Sequence, residues 1–302
     1  MTFEKRKIDL TFQLAKANGG AASTFTEGDF DTLKVSGLRT LVQIQSLGFP
    51  SKGTAILQVW GLNWSDMNQL ATVNLSIDGE IQYRYNKLII EAGYEGGAMS
   101  TVFSGQIYNS EINTDNAPDI CLTMTAMGGF YEAMRPVGAL SFPGVVDAVV
   151  ILSDLAKQNG YAFENNGVPA TMLRNPYFPG TAYDQMEACA HQAGINAALD
   201  NGILAIWPEG GGRRGTVPVI SPNTGMIGYP QRKTFGVRAR TLFNPILTIG
   251  RPFKIEGSSI SAANGVYYCW EASHYLSSEL PNGPWETSVN GAPTEGAKIV
   301  GL

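Results

Sequence analysis

The sequence predicts a mainly β protein in which two β-rich modules, the first with the strand pattern of a barrel or a sandwich, flank a small α+β module. Apolar and polar residues alternate with a period of two over residues 38–135, which is typical of half-buried strands. After Pro136 the apolar residues recur at helical spacing, and beyond Gly210 short strand-like segments resume between Gly, Pro, Asn and Ser. We therefore expect three modules, which cover residues 1–137, 138–212 and 213–302. Within the first module, residues 1–37 are expected to form an N-terminal arm or an extra strand.

The composition indicates a folded protein with an unusually uncharged surface. Of the 302 residues, 44% are apolar and 16% are charged, against about 25% charged in a typical soluble domain. The apolar content excludes an intrinsically disordered chain, and the 35 glycines lack the period of three that collagen requires. The net charge of −5, with no Lys/Arg run longer than three, argues against a dedicated nucleic-acid binder, which needs clustered cations.

The cysteines and the apolar runs limit the cellular context. Cys121, Cys189 and Cys269 lie far apart, which predicts small buried side chains rather than a disulfide framework or a metal site. The N-terminus lacks the apolar segment of a secretory signal. The longest apolar stretch, 145–155, is shorter than the ~20 residues of a membrane span. We expect no membrane span and a protein that is made and folds in the cytoplasm.

The first module consists of strands joined by turns. Residues 120–126 give the clearest alternation, with Leu122 and Met124 on one face and Thr123 and Thr125 on the other. Ser65 is predicted to cap a short helix over 66–70. The expected strands cover residues 38–45, 54–62, 81–85, 87–92, 101–112 and 120–126.

Two helices and a hairpin make up the second module. Val145, Val149, Leu152 and Ala156 recur at helical spacing, and Gly160 follows as a stop signal. A second helix is expected to begin at Thr181, with Asp184 completing a capping box, and to end at Gly194. Its expected apolar stripe is Tyr183, Met186, Cys189, Ala190 and Ala193. Asn201-Gly202 predicts a tight hairpin between strands 195–199 and 203–207.

The third module is again built of strands. The longest predicted strand, 265–276, places one set of side chains on a common face. That set is Val266, Tyr268, Trp270, Ala272, His274 and Leu276. The other expected strands are 216–220, 236–241, 246–249 and 253–256.

None of the candidate catalytic or ligand-binding motifs meets the requirements of its chemistry. Residues 210–215 match G-x-G-x-x-G, but Pro218 and Pro222 follow where a dinucleotide site needs a helix, so a flexible, slightly basic loop is expected. His191 has no second ligand nearby in sequence. His274 and Glu271 fall on opposite faces of a strand, so they form no acid–base pair, and His274 is expected at a barrel end or an interface. The carboxylate pairs Asp115/Asp119 and Asp184/Glu187 are more typical of caps and solvated faces.

The order of the C-terminal motifs resembles the last domain of tailed-bacteriophage baseplate hub proteins. The motifs are Asn223 to Pro230, Asn244-Pro245, Gly250 to Phe253, Ala263 to Tyr267, His274 and Gly283 to Thr287. Val102 to Ile107, before an alternating strand, is similar to the tail-tube-like barrel of such hubs. The helical module lies where these hubs carry an α/β insertion.

The resemblance implies a structural virion protein rather than an enzyme, with no catalytic, cofactor-binding or metal-binding residues. It implies a homotrimeric ring in which each chain supplies two tail-tube-like β-barrel modules. The ring would join the tail tube to a central spike or tail-tip protein. The implied partners are these proteins, other baseplate proteins and the tape-measure protein, and DNA would be met only as it passes through the lumen during ejection. The implied location is the tail baseplate, assembled in the host cytoplasm.

Three alternatives remain open on the sequence. The first is a hub or spike base of a bacterial contractile injection particle, which shares the architecture. The second is a tail-associated glycan hydrolase, which needs two carboxylates facing each other in a cleft. The third is a glycan-binding protein with exposed tryptophans as stacking platforms. Its candidates are Trp60, Trp64, Trp270 and Trp285, although core packing is more usual for Trp60 and Trp270 because both lie on predicted strands.

Overall fold

The fold is mainly β and divides into two compact units. The computed structural model describes residues 4–15, 31–71, 85–234 and 236–294. The first unit comprises Met1–Ile44, Thr54–Phe130 and Tyr275–Trp285, and the second comprises Gln45–Gly53, Tyr131–His274 and Glu286–Leu302. Most of the expected strand at 81–85, and residues 16–30 of the expected N-terminal arm, lie outside the described residues.

The first unit is built around a sheet whose inner face is apolar. Its elements are β1 (Arg6–Gln13), β2 (Thr32–Ser36), β3 (Thr40–Ser46), β4 (Thr54–Trp60), α1 (Trp64–Ala71), β5 (Lys87–Tyr94), β6 (Ser100–Asn113) and β7 (Cys121–Met127). The sheet order is β3-β4-β7-β6-β5-β1-β2. Alternate residues of each strand point inward, so Leu57, Leu122 and Met124 are fully buried. The alternation predicted for residues 120–126 is therefore confirmed.

The short helix α1 has a different cap from the one that the sequence suggests. The Asn63 side chain accepts a hydrogen bond from the main-chain nitrogen of Asp66 at 2.8 Å and donates to the Asp66 carboxylate at 2.9 Å. The helix therefore begins at Trp64, and the predicted cap at Ser65 is wrong. An Asn side chain satisfies an N-terminal amide as well as a Ser does, so residue type alone did not decide between them.

The second unit carries the helices α3 and α4 and a further set of strands. A short helix α2 (Phe130–Met134) leads into it from β7. Its remaining elements are β8 (Leu140–Ser141), β9 (Val145–Asp147), α3 (Ala148–Gln158), β10 (Ala162–Asn165), β11 (Met172–Arg174), β12 (Tyr177–Phe178), α4 (Ala182–Gln192), β13 (Ile195–Asp200), β14 (Ile203–Pro208), β15 (Val219–Ile220), β16 (Gln231–Lys233), β17 (Gly236–Leu242), β18 (Pro252–Ile255), β19 (Gly265–Ser278) and β20 (Trp285–Pro293). The last residues of β19 and the first residue of β20 belong to the first unit.

The second helix and the hairpin agree with the sequence prediction. Thr181 accepts from the main-chain nitrogen of Asp184 at 3.2 Å, and the Asp184 carboxylate accepts from the main-chain nitrogen of Thr181 at 2.9 Å. This is the predicted capping box. Asn201 and Gly202 both have positive φ, 52° and 83°, as a two-residue turn between β13 and β14 requires.

The first helix begins later than predicted. Val145 lies on β9 and is 62% exposed, so it does not belong to the helical stripe. The Asp147 carboxylate accepts from the main-chain nitrogens of Val149 at 3.0 Å and Thr171 at 2.9 Å, and these bonds start α3 while tying β9 to β11. The buried face of α3 consists of Ala148, Ile151, Leu152, Leu155 and Ala156.

Two of the predicted C-terminal strands are altered. The strand expected over 216–220 shortens to Val219–Ile220, and residues 246–249 form a turn rather than a strand. The Asn244 side chain accepts from the main-chain nitrogen of Ile246 at 3.0 Å, which closes the turn locally. Within the second unit the strands pair in the orders β10-β14-β13 and β16-β17-β20-β19-β18-β15. The three-module division remains a prediction.

Candidate functional site

The loop that matches G-x-G-x-x-G is anchored by a buried ion cluster. Arg213 has a side chain that is 2% exposed, and its guanidinium lies 2.6 Å from a carboxylate oxygen of Asp200 and 2.9 Å from one of Glu164. A second guanidinium nitrogen, Nε, donates to Glu164 at 3.1 Å. These three side chains, the Arg213 cluster, connect the loop to the ends of β13 and β10 within the second unit.

Neighbouring polar groups complete the Arg213 cluster. The Ser46 and Thr248 hydroxyls donate to Asp200 at 3.4 and 3.2 Å. The main-chain nitrogen of Arg213 donates to the Gly250 carbonyl at 2.7 Å. Hydrogen bonding from Arg213 lowers the pKa of Glu164, because the cation favours the ionised carboxylate. Both carboxylates are bonded to the same guanidinium, so the cluster has the chemistry of a structural clamp rather than of an acid–base pair.

The expectation of a flexible loop at 210–215 is therefore wrong. The side chain of Arg213 is buried, and only Arg214 of the two adjacent arginines is exposed. Gly212 packs against the ring of Tyr268, and a Cβ at this position would overlap that ring. Gly212 therefore allows the backbone to approach an aromatic side chain closely. The chain continues as an extended segment into β15, so the loop does not present a helix N-terminus to a phosphate.

The two histidines occupy contrasting environments. His274 is 3% exposed on β19, its Nδ1 lies 2.9 Å from the Thr287 hydroxyl, and its ring packs edge-on against Phe243. Burial lowers the pKa of His274 to about 4, so the ring is neutral at pH 7. Glu271 accepts instead from the amides of Gln45 and Asn290, each at 2.7 Å. His191 is exposed on α4.

The carboxylate pairs serve as caps and surface ion pairs. Asp184 caps α4, and Asp119 pairs with Arg39 at 2.6 Å, whose guanidinium also lies over the ring of Trp60. Asp115 is exposed. Within the described ranges, no three His, Cys, Asp or Glu side chains lie close enough together to hold a metal ion.

The three cysteines are buried free thiols, as predicted. Burial raises the pKa of the Cys189 thiol to about 12, and it raises the pKa of the fully buried Cys269 as well. A reactive cysteine needs an accessible thiolate. Cys189 and Cys269 therefore act as small apolar side chains of the core.

The tryptophans differ in their exposure. Trp285 is buried, and Trp60 is half-buried beneath Arg39. Trp64 is 54% exposed on α1 and Trp270 is 49% exposed on β19. The expectation that Trp270 packs in the core is therefore wrong. Alternation placed it on the same face as the buried His274 and Leu276, but burial along this face begins only at Ala272.

Several residues of the C-terminal motifs hold turns. Asn264 accepts from the main-chain nitrogen of Ser258 at 3.0 Å and donates back to its carbonyl at 3.2 Å. The Tyr267 hydroxyl donates to the Ala263 carbonyl at 3.0 Å. The Thr287 hydroxyl accepts from the main-chain nitrogen of Asn244 at 3.1 Å. These polar residues therefore stabilise turns and strand ends of the second unit.

No helix among the described residues combines the length and the apolar character needed to cross a membrane.

A family model described as baseplate hub gp41 matches residues 22–280 of the chain. This match covers both units and confirms the resemblance to baseplate hub proteins on which the sequence interpretation rests. No curated protein matches the chain in sequence.

Solved structures with this fold come from phage tails and secretion systems. A tail protein from Neisseria meningitidis MC58 has a TM-score of 0.57 at 9% identity, over 94% of this chain and 96% of that one. The E. coli c3393 protein, a type VI secretion component similar to the T4 tail proteins gp27 and gp5, has a TM-score of 0.58 at 8% identity, over 85% and 73%. A chain of the Francisella PdpA–VgrG complex has a TM-score of 0.54 at 10% identity, over 96% and 58%. At these identities the likeness concerns the fold.

Proposed function

Because the chain belongs to the baseplate hub gp41 family and so has a structural role in the tail baseplate of a virion, we propose that three copies of it form the hub ring. The ring would join the tail tube to the central spike or tail-tip protein. Its lumen would carry the tape-measure protein and then the DNA. The observation that carries the proposal is the family match over residues 22–280.

We further propose that each chain supplies two tube-like barrels to the ring. We propose that residues 1–137 and 213–302 form these barrels and that 138–212 is an insertion between them. Three chains with two barrels each would present six similar modules to a sixfold tube. Support comes from the β-rich composition of both compact units.

The charge distribution of the first unit supports a role in DNA passage. The strands β3, β4 and β7 contain no charged residue. Their outward positions carry instead uncharged polar side chains, such as Gln43, Gln58 and Thr123, that are half-buried or exposed. Lys and Arg retain DNA because they neutralise its phosphates and release the counterions bound there. A surface without these residues lacks this source of affinity, so DNA can move past it.

The oligomeric state tests the ring directly. Purified full-length protein is expected to have a mass three times the 32.4 kDa of one chain in light scattering. Electron micrographs are expected to show rings with a central hole, and purified spike protein is expected to bind one face of the ring. A monomer at micromolar concentration, with no ring in the presence of the spike protein, would rule the proposal out.

A hub of a contractile injection particle is the second candidate. The fold shared with the type VI component c3393 and with the PdpA–VgrG complex favours it. Antibody labelling of particles purified from the producing cells separates the candidates. Label on DNA-filled phage tails supports the virion hub, whereas label on particles that lack a DNA-filled head supports the injection particle.

We also propose that the protein has no catalytic activity and that it assembles in the host cytoplasm. The Asp200 and Glu164 carboxylates are bonded to Arg213 and the Asp184 carboxylate caps α4, so these three groups serve the fold rather than a reaction. Zymography on cell-wall glycan is expected to show no clearing. Clearing that is lost on replacement of a single Asp or Glu would overturn this part of the proposal.

A further inference from the structure

A cavity of about 420 Å³ opens beside Trp270 in the second unit. Its floor includes the buried side chains of Trp207 and Ile249, and one wall is the face of α4 that carries Glu187 and His191. Asn196 and Pro293 also line it. We call it the Trp270 cavity. Its size falls within the roughly 300–1,000 Å³ of ordinary small-molecule sites.

The exposed indole distinguishes this cavity from the other tryptophan sites. Trp285 is buried and Trp60 is covered by Arg39, so neither offers a free ring face. Trp64 is as exposed as Trp270, but it does not line this cavity. Trp270 combines an exposed ring with the concave surface of the cavity. A flat aromatic ring at the solvent-exposed edge of a cavity packs well against a ligand that has one apolar face and polar edges.

The polar groups of the cavity suit hydroxyl groups rather than anions. Glu187 and His191 lie four residues apart on α4 and therefore project from the same side of the helix. A carboxylate accepts hydrogen bonds from hydroxyls, an imidazole both donates and accepts, and the Asn196 amide does both. Lys and Arg do not line the cavity, so it offers no cation to pair with an anionic ligand.

We propose that the Trp270 cavity binds a neutral saccharide. The C–H face of one sugar ring would pack on the Trp270 indole, and its hydroxyls would bond to Glu187, His191 and Asn196. The negative charge of Glu187 would disfavour sialylated or uronic-acid glycans. This proposal goes beyond the hub role and does not rest on it.

The experiment is a saccharide titration of the full-length chain. Saturation-transfer NMR and calorimetry use cellotetraose and chitotetraose as neutral probes and sialyllactose as the acidic probe. We expect binding of at least one neutral probe, and binding of sialyllactose that is roughly tenfold weaker or undetectable. Trp270→Ala is expected to weaken neutral binding about tenfold or more, Trp270→Phe to retain most of it, and Glu187→Gln to narrow the discrimination against sialyllactose.

Trp64→Ala is the matched control because it removes an equally exposed tryptophan that does not line the Trp270 cavity. It is expected to leave binding unchanged. Failure of the wild-type chain to bind either neutral probe overturns the proposal, as does an equal loss in the Trp64 and Trp270 variants. Cross-linking in assembled particles that places a segment of another protein on Trp270, combined with no saccharide binding, would assign the cavity to a protein partner instead. Trimer formation is measured separately, so failure of this proposal leaves the hub role intact.

Discussion

Arg213 neutralises two carboxylates inside the second unit, and its removal is expected to be costly. In Arg213→Met the Asp200 carboxylate, which is 8% exposed, keeps only its hydroxyl partners. An uncompensated charge of this kind destabilises a protein by about 3–5 kcal/mol. Urea unfolding followed by tryptophan fluorescence measures the loss.

Arg214→Met is the matched control for Arg213. Its side chain is exposed, and the substitution keeps the main-chain bonds that the residue makes to Asn166 and Arg251. Its expected effect is within about 0.5 kcal/mol. Equal stability of the two variants would show that the Arg213 cluster contributes nothing.

His274 makes stability depend on pH between 6.5 and about 4. Its pKa in the folded protein is about 4, whereas an unburied histidine has a pKa of 6.5. Between these values the unfolded chain binds a proton that the folded chain does not. Stability therefore falls as the pH drops from 6.5 and levels off below 4, with a total loss of roughly 3 kcal/mol from this group. Unfolding free energies measured at several pH values give the slope.

His274→Asn separates this effect from other titrations. Asn can keep a hydrogen bond to Thr287 but does not titrate, so the slope between pH 6.5 and 4 is expected to flatten. A steep slope that persists in the His274 variant would refute the assignment.

The burial of single residues was the hardest property to predict from the sequence. Arg213 lies in a run of Gly and Arg that is typical of a solvated loop. It is buried because Asp200 and Glu164, which come from other elements, bind its guanidinium. Trp270 has the strand spacing of a core residue, but it lies at a cavity rim. In both cases tertiary neighbours set the environment, and one strand or loop does not reveal them.

Elements with complete local signals were predicted well. The capping box at Thr181 and Asp184 and the Asn201-Gly202 turn are encoded by residues within four positions of one another, so long-range packing does not alter them. The predicted start of α3 at Val145 failed because Asp147 caps the helix and Val145 pairs with Arg174 of β11. Strand pairing overrode a helical spacing that continued by chance across the cap.

The cap of α1 provides a paired test at the element scale. Asn63→Ala removes both side-chain hydrogen bonds to Asp66 and is expected to cost about 1 kcal/mol. Ser65→Ala, at the residue that the sequence suggested as the cap, is expected to be close to neutral or slightly stabilising because Ala has the higher helix propensity. Chemical denaturation of both variants decides between the two caps, and a larger loss for Ser65→Ala would restore the sequence-based assignment.

The low charge of the chain is relevant to how the whole molecule contacts other subunits and DNA. A content of 16% charged residues is low for an isolated soluble domain. The uncharged strands β3, β4 and β7 concentrate this property in the first unit. In a hub, an uncharged surface of this kind can serve as a contact with neighbouring subunits, or it can let DNA pass without being retained. Charges placed on the outward positions distinguish these two roles.

The double variant Gln58→Lys/Thr123→Lys tests DNA passage. The two residues are cross-strand partners on the outward side of β4 and β7, and both are half-buried, so lysine can reach solvent while the fold is kept. If this face lines the channel, phages carrying the variant are expected to assemble but to eject DNA several-fold more slowly at low salt. The delay should shrink at high salt because phosphate contacts weaken as the salt concentration rises.

Gln58→Glu/Thr123→Glu is the control with the opposite charge. It adds the same number of charges but no phosphate contact, so its ejection rate is expected to stay at the wild-type value or above it at low salt. Loss of particle assembly in both double variants would instead make β3, β4 and β7 an interface between subunits. Ejection kinetics that are wild-type in both variants would place this face on the outside of the ring, because a lumen that carries DNA must respond to two new positive charges.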